Sequence, residues 1–188
     1  QALALSFDFE TINQQMFYGL YKSSYSYFSK SELAATGMPT AAELAILEPL
    51  RKQLPERVFT QTVPMPAVVC LYLGVRPNLL LARSLLLQAG YRYQNGLLID
   101  PQGRPVTLEF LTNGKTFERV SAKWQRDLAK LGIGLKIRLV DNAVYQKRRQ
   151  EFDYDIISHV YGQSQNTDNE QIEIHSCTSA KTPHSING

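Results

Sequence analysis

The sequence is poor in the groups on which most enzyme chemistry depends. Among 188 residues it holds three histidines, His159, His175 and His184, and two cysteines, Cys70 and Cys177. The cysteines match no metal-ligand spacing, and whether they pair is left open by their separation alone. His175, His184 and Cys177 fall in a polar, weakly patterned tail, and no G-x-S-x-G turn is present, so a hydrolase built on a nucleophile and a base has no visible apparatus. His159 stands among Ile156, Ile157 and Val160 on an expected strand, where it reads as a hydrogen-bonded structural residue. Asp153, Asp155 and His159 come nearest to a metal set but lack a convergent fourth group. Glycine is scarce where a phosphate would be cradled: LTNGKT has one and fits neither the Walker pattern nor G-x-G-x-x-G. The expectation is a chain without catalysis, metal or cofactor.

Other absences narrow the class further. No apolar run approaches the roughly 20 residues that a membrane-spanning helix needs. An excess of one charge is missing too, with 20 basic against 17 acidic residues and a net charge of +3. That balance does not point to nucleic acid. Lys147, Arg148 and Arg149 form the one basic cluster and read as a solvated helix face. The chain begins at Gln1, with neither an initiating Met nor a basic-then-apolar leader, and is expected to be a piece of a longer protein.

What is present is concentrated between Val106 and Gly162. Apolar residues alternate at Val106, Leu108 and Phe110 and again at Leu135, Ile137 and Leu139. Between them Phe117, Val120, Trp124, Leu128 and Leu131 recur at spacings of three and four. The pattern predicts strand, amphipathic helix, strand, then a shorter helix over AVYQKRRQEF and a third strand in DYDIISHVYG. Strands joined through helices pair in parallel. The fold class is therefore α/β, a mixed sheet with a β-α-β-α-β parallel core. Ligands usually sit at the carboxyl ends of such strands, here Asn113 to Lys115, Asp141 to Ala143 and Tyr161 to Asn166.

Upstream, Ala2 to Leu20 reads as two consecutive helices or one bent one. Tyr21 to Ser31 is an aromatic, hydroxyl-rich loop whose Tyr21, Tyr25 and Tyr27 suit either a binding surface or the plugging of the lobe's own core. Thr40 and Glu43 form a capping box for AAELAIL, which Pro49 ends or kinks. AVVCLYLG is a short buried strand or a connector. Asn78 is expected to cap the helix LLLARSLLLQA, with Gly90 ending it in the left-handed region. DPQGRP predicts a turn that makes a hairpin of GLLID and PVTLEFL. Residues 163–188 are expected to be loop or frayed tail, with at most a short helix from Glu170 to Ile174. At this length a single lobe spanning residues 1–188 is expected.

The succession AGY, D-x-x-G-x-P-V-T-L-E-F, and WQRDLAKLGIGLKIRLVDNAVYQKRRQEFDYDII resembles the second lobe of the extracytoplasmic solute-binding proteins of peptide ABC importers, the dipeptide/oligopeptide-binding family 5. The stretch from Ala4 to Gln61, with S-Y-F-x-x-S-E-L-A-A, is similar to its Yej-type branch, associated with oligopeptide and microcin C uptake. The resemblance implies lobe II of a type II periplasmic-binding-protein-like fold, located in the periplasm. It also implies a first lobe elsewhere in the same chain, ABC permease subunits as partners, and a peptide or peptide-like ligand enclosed between the lobes. Such a half-site is expected to bind peptide weakly or not at all by itself.

On the same resemblance the ligand-binding residues are Tyr25, Tyr27 and Ser31 from the aromatic loop, and Tyr161, Gln163, Ser164 and Asn166 from the polar loop. Tyr161 matches the aromatic that family members place after the third strand. Ser164 stands where some relatives carry an Asp for the ligand's α-amino group, and PAVVCLYLGVRP departs from the family's more polar connector. The alternative is a ligand-sensing domain of a transcription regulator on the same fold. A third reading is a hydrolase whose missing groups lie outside this stretch.

Overall fold

A computed structural model describes residues 1–24, 28, 29, 32, 34, 37–62, 74–160, 176–180 and 182. The expectations for residues 67–73 and 170–174 lie outside them. The chain divides into two compact units, Gln1–Tyr21 with Ala67–Gly188, and Lys22–Pro66.

In the larger unit the alternating segments become β3 (Thr107–Thr112), β4 (Gly134–Leu139) and β5 (Ile156–Ile157), a parallel sheet ordered β4-β3-β5. The helix α6 (Lys115–Ala129) connects β3 to β4, and α7 (Asn142–Gln150) connects β4 to β5. The expected parallel β-α-β-α-β core is therefore present. Central β3 is shielded on both faces: Phe110 is buried, and so is Leu111, whose side chain points to the opposite face. Leu128 of α6 and Leu131 just beyond its end join Phe110, Ile133 and Leu135 in one apolar cluster. Each fully buried leucine contributes about 1.5–3 kcal/mol by leaving water.

Two local expectations are corrected. The hairpin that forms is β1 (Arg92–Gln94) with β2 (Leu97–Ile99), antiparallel, and not GLLID with PVTLEFL. Asn95 and Gly96 both take positive φ, 51° and 80°, which twists the two strands as a two-residue hairpin requires. The turn after Asp100 does exist, closed by Arg104 N–H donating to Asp100 Oδ1 at 2.8 Å. The strands flanking it share only an isolated bridge, Ile99 to Pro105. The second correction concerns α5 (Arg76–Gln88), which starts two residues before Asn78 and carries Pro77 in its first turn. Proline lacks the amide that has no helical partner there, so it suits the start without a side-chain cap. Gly90 follows the helix at φ +87°, as expected.

The N-terminal stretch forms two helices, α1 (Ala2–Leu5) and α2 (Phe9–Phe17), and α1 packs on α5. Asp8 caps α2 through Thr11 N–H at 3.2 Å and also accepts from Lys123 Nζ at 3.1 Å. Lys123 reaches Asp127 at 2.7 Å as well. Beside them Trp124 Nε1 donates to Ser6 Oγ at 2.8 Å while Phe7 meets the indole edge-on, with ring centroids 5.6 Å apart. Burial raises the pKa of Asp8, but the bonds from Thr11 and from Lys123 outweigh it and leave the carboxyl below its usual range.

In the smaller unit the capping box is realised at α3 (Ala41–Leu47): Glu43 N–H donates to Thr40 Oγ1 at 3.3 Å, and Thr40 N–H to Glu43 Oε2 at 2.7 Å. Pro49 then sits in a single 3-10 turn, Glu48–Leu50. Arg51 binds Glu48 and Glu56 and lies over the ring of Phe59, 4.0 Å from its centroid, in the short helix α4 (Arg57–Thr60).

Candidate functional site

Because β3, β4 and β5 run parallel, their carboxyl ends open onto one edge of the sheet, where side chains are free of the ladder and of the crossover helices. Two layers of polar groups are found there. The inner layer is built on Thr112, the fully buried last residue of β3. Its hydroxyl accepts from Ser158 Oγ at 2.9 Å and from Gly114 N–H at 3.2 Å, which ties the segment after β5 to the turn that enters α6. Tyr145, buried on α7, donates its hydroxyl to the Ser158 carbonyl. Asp141 caps α7 by accepting from Val144 N–H at 2.9 Å. The outer layer is exposed: Asn113 Nδ2 donates to Asn142 Oδ1 at 3.0 Å, joining the first residue beyond β3 to the first residue of α7.

The segments that leave this edge also carry exposed apolar residues. Phe117 in the first turn of α6, Leu139 at the end of β4, Val144 in the first turn of α7 and Val160 beyond β5 are all exposed, the last at 74%. Phe117 is thus a departure from the expected core stripe, because its turn opens onto this edge. A polar centre with apolar surroundings can hydrogen-bond a ligand while covering its nonpolar parts.

Away from this edge the strands are tied by charge. Glu109 on β3 lies 2.7 Å from Arg148 Nη2 and 3.3 Å from Arg138 Nε, and Arg148 also meets Asp153 at 2.7 Å. Arg148 therefore leaves the solvated face expected of the 147–149 cluster, whereas Lys147 remains on it. Asp155 accepts from Glu109 N–H at 2.7 Å, so both carboxylates of the nearest metal set already serve other groups. Among the described residues no group of three or more His, Cys, Asp or Glu could hold a metal ion. His159 lies just past β5 rather than on it; burial first and the charge of Arg149 second hold its imidazole below the usual pKa, neutral at pH 7. Cys177 is exposed.

The seven expected ligand residues, Tyr25, Tyr27, Ser31, Tyr161, Gln163, Ser164 and Asn166, lie outside the described residues. The loops after β3 and β4 were legible from topology as the strands' carboxyl ends, but the amide pair and the Thr112–Ser158–Tyr145 layer were not. Position supplied the available signal, since Asn113 directly follows β3 and Asn142 opens α7 three residues after Leu139, the last alternating apolar of β4.

Comparison with known proteins supplies the context for this edge. Residues 1–182 match the family described as bacterial extracellular solute-binding proteins, family 5 Middle. A relative from Agrobacterium fabrum, named "Probable peptide-binding protein YejA", is 36% identical over 174 residues, covering 92% of this chain and 28% of that protein. The chain spans 26–28% of the length of the first curated relatives it matches. The oligopeptide-binding protein AppA of Bacillus subtilis, solved with a nonapeptide, superposes with a TM-score of 0.68 at 20% identity, covering 99% of this chain and 31% of its own. A periplasmic oligopeptide-binding protein of Thermotoga maritima, solved with mannohexaose, superposes with a TM-score of 0.64 at 16% identity, covering all of this chain and 31% of its own. At such identities the likeness shows the fold, the α/β lobe of a type II periplasmic-binding-protein-like architecture. By the match across nearly its whole length, the chain belongs to family 5 of the bacterial extracellular solute-binding proteins.

Proposed function

We propose that this chain is the peptide-binding second lobe of an ABC importer's extracytoplasmic receptor, which takes up an oligopeptide or peptide-like solute and delivers it to membrane permease subunits. One observation carries the reading. The carboxyl edge of the parallel sheet presents exposed carboxamides at its centre and four exposed apolar side chains around them, the mixture that a peptide's main chain and varied side chains would meet. The name borne by the Agrobacterium relative and the nonapeptide held by the Bacillus protein support it.

On this reading the aromatic loop with Tyr25, Tyr27 and Ser31, and the polar loop with Tyr161, Gln163, Ser164 and Asn166, contribute further contacts. A companion lobe elsewhere in the full-length protein closes over the ligand, and enclosure excludes water so that modest hydrogen bonds are not lost to solvent competition. The protein works in the periplasm and catalyses nothing. No observation favours the regulator alternative.

The test is isothermal titration of the full-length protein with a randomised peptide library and with penta-alanine, together with mass spectrometry of whatever co-purifies. Binding at about micromolar Kd or tighter is expected. A full-length protein that takes up no peptide from the library and carries none from the cell would overturn the proposal.

A further inference from the structure

We infer that Tyr18 and Leu20 dock this chain on polypeptide of the same full-length protein outside residues 1–188, in a contact made with or without ligand. The inference needs only the longer polypeptide and not the peptide-binding reading above. Both residues belong to the turn that ends α2. Asn13, buried in that helix, donates from Nδ2 to the Tyr21 carbonyl at 2.7 Å and accepts Tyr21 N–H at Oδ1, 3.1 Å away. Gly19 N–H donates to the Asn13 carbonyl at 3.0 Å and Leu20 N–H to the Phe17 carbonyl at 2.9 Å. The rings of Phe17 and Tyr21 meet edge to face, 4.9 Å between centroids. A turn fixed at so many points is rigid, and neither the Tyr18 nor the Leu20 side chain takes part in these bonds.

What the turn does with that rigidity is hold two large apolar side chains in water. Tyr18 is 86% exposed and Leu20 80%, the two highest values for a large hydrophobic among the described residues. Tyr18 also stands at φ 54° in the left-handed region, where glycine fits at no steric cost and a tyrosine does not. A bulky residue kept in a costly conformation and turned outward is explained by something that it contacts. From Thr11 to Tyr21 there is no Asp, Glu, Lys or Arg, and absence of charge is the mark of an interface core. The occupant follows from length. The chain spans 26–28% of the first curated relatives, so most of such a polypeptide lies outside it and is tethered to it. Tethering gives that polypeptide an effective concentration which no separate partner matches.

Hydroxyl-radical labelling of the full-length protein, read residue by residue by mass spectrometry, measures side-chain exposure without a substitution. Tyr18 and Leu20 are expected to lose nearly all the labelling that they show in urea, falling to the level of buried Ile12. Labelling that stays near the unfolded level leaves both in water and overturns the inference. So does protection that appears only as protein concentration rises, which marks a second copy, or only with peptide bound, which marks a ligand contact. A second measurement reads the sign of a substitution. Tyr18→Gly relieves the left-handed backbone and removes the ring, so a ring without a partner predicts a higher urea midpoint for the full-length protein. A docking anchor predicts a lower one, and a midpoint that holds or rises overturns the inference.

Discussion

Replacing Gly132 by alanine should damage the fold far more than the same change at Gly96, although both glycines have positive φ. At Gly132, φ is +69° and a Cβ would stand 2.6 Å from Leu98 N and 2.7 Å from the Gly96 carbonyl, both backbone atoms of the β1-β2 hairpin. At Gly96, φ is +80° and nothing lies within 4 Å. The left-handed conformation costs an alanine about 1–2 kcal/mol at either position. Only at Gly132 must the hairpin also retreat, which opens the 2.9 Å bond from Leu98 N–H to the Gly132 carbonyl and draws the fully buried Leu98 from the core. The lost bond is worth about 1 kcal/mol and partial exposure of the leucine a similar amount. Gly132→Ala should therefore cost about 3–4 kcal/mol and Gly96→Ala about 1–2 kcal/mol, each eased by a few tenths through the stiffer unfolded chain. The assay is urea unfolding of the 188-residue chain followed by Trp124, its one tryptophan, whose ring is packed against Phe7. With a slope of about 1–3 kcal/mol per molar urea, the two variants should differ in midpoint by about 1 M. Coincident midpoints for the two variants would refute the reasoning, because only the close approach of the hairpin separates them.

The Asp8–Lys123 pair sets a pH window for the docking of the N-terminal helices on α6. The Asp8 carboxyl is depressed, so its contribution is complete above its usual value near 3.8 and is lost as pH falls through the lower folded one. For Lys123, burial lowers the pKa but Asp127 and Asp8 raise it further, so its contribution holds below about 10.5 and fades as pH rises through the folded value. Asp8→Asn keeps a capping side chain but removes the charge, and should cost about 1–3 kcal/mol at pH 7 and progressively less as pH falls below 3.8; a loss that stays constant over that fall in urea titrations would contradict the pairing. Tyr145→Phe removes the hydroxyl that holds the Ser158 carbonyl, and should lower stability by about 1 kcal/mol, read as a midpoint shift in the same assay; no shift would show that the bond contributes nothing.

Much of this protein could be read from its residues in a line. Leu108 and Phe110, Leu135 and Ile137, and the stripe of Val120, Trp124 and Leu128 announce strand, helix and strand because side-chain period is decided within two or four residues of chain. The Thr40–Glu43 box was legible for the same reason. The family resemblance was carried by the same segments, and the match over residues 1–182 bears it out. Local competition was harder to judge. Asn95-Gly96 prevailed over the Asp100 turn because two left-handed residues close a tight hairpin, whereas the longer loop needs partner strands that β1 and β4 had already engaged.

What tertiary structure alone decided is which groups meet at the sheet's edge. Phe117 obeys the helical period of α6, yet it faces solvent, since the first turn of that helix stands beyond the end of β3. Ser158 reaches Thr112 only because β5 joins the free side of β3, and Asn142 reaches Asn113 only because β4 joins the other. Neither adjacency has a signature in the intervening residues. Periodicity is a property of a few consecutive peptide units, while strand order is a result of packing the whole chain, and the candidate edge is made by order.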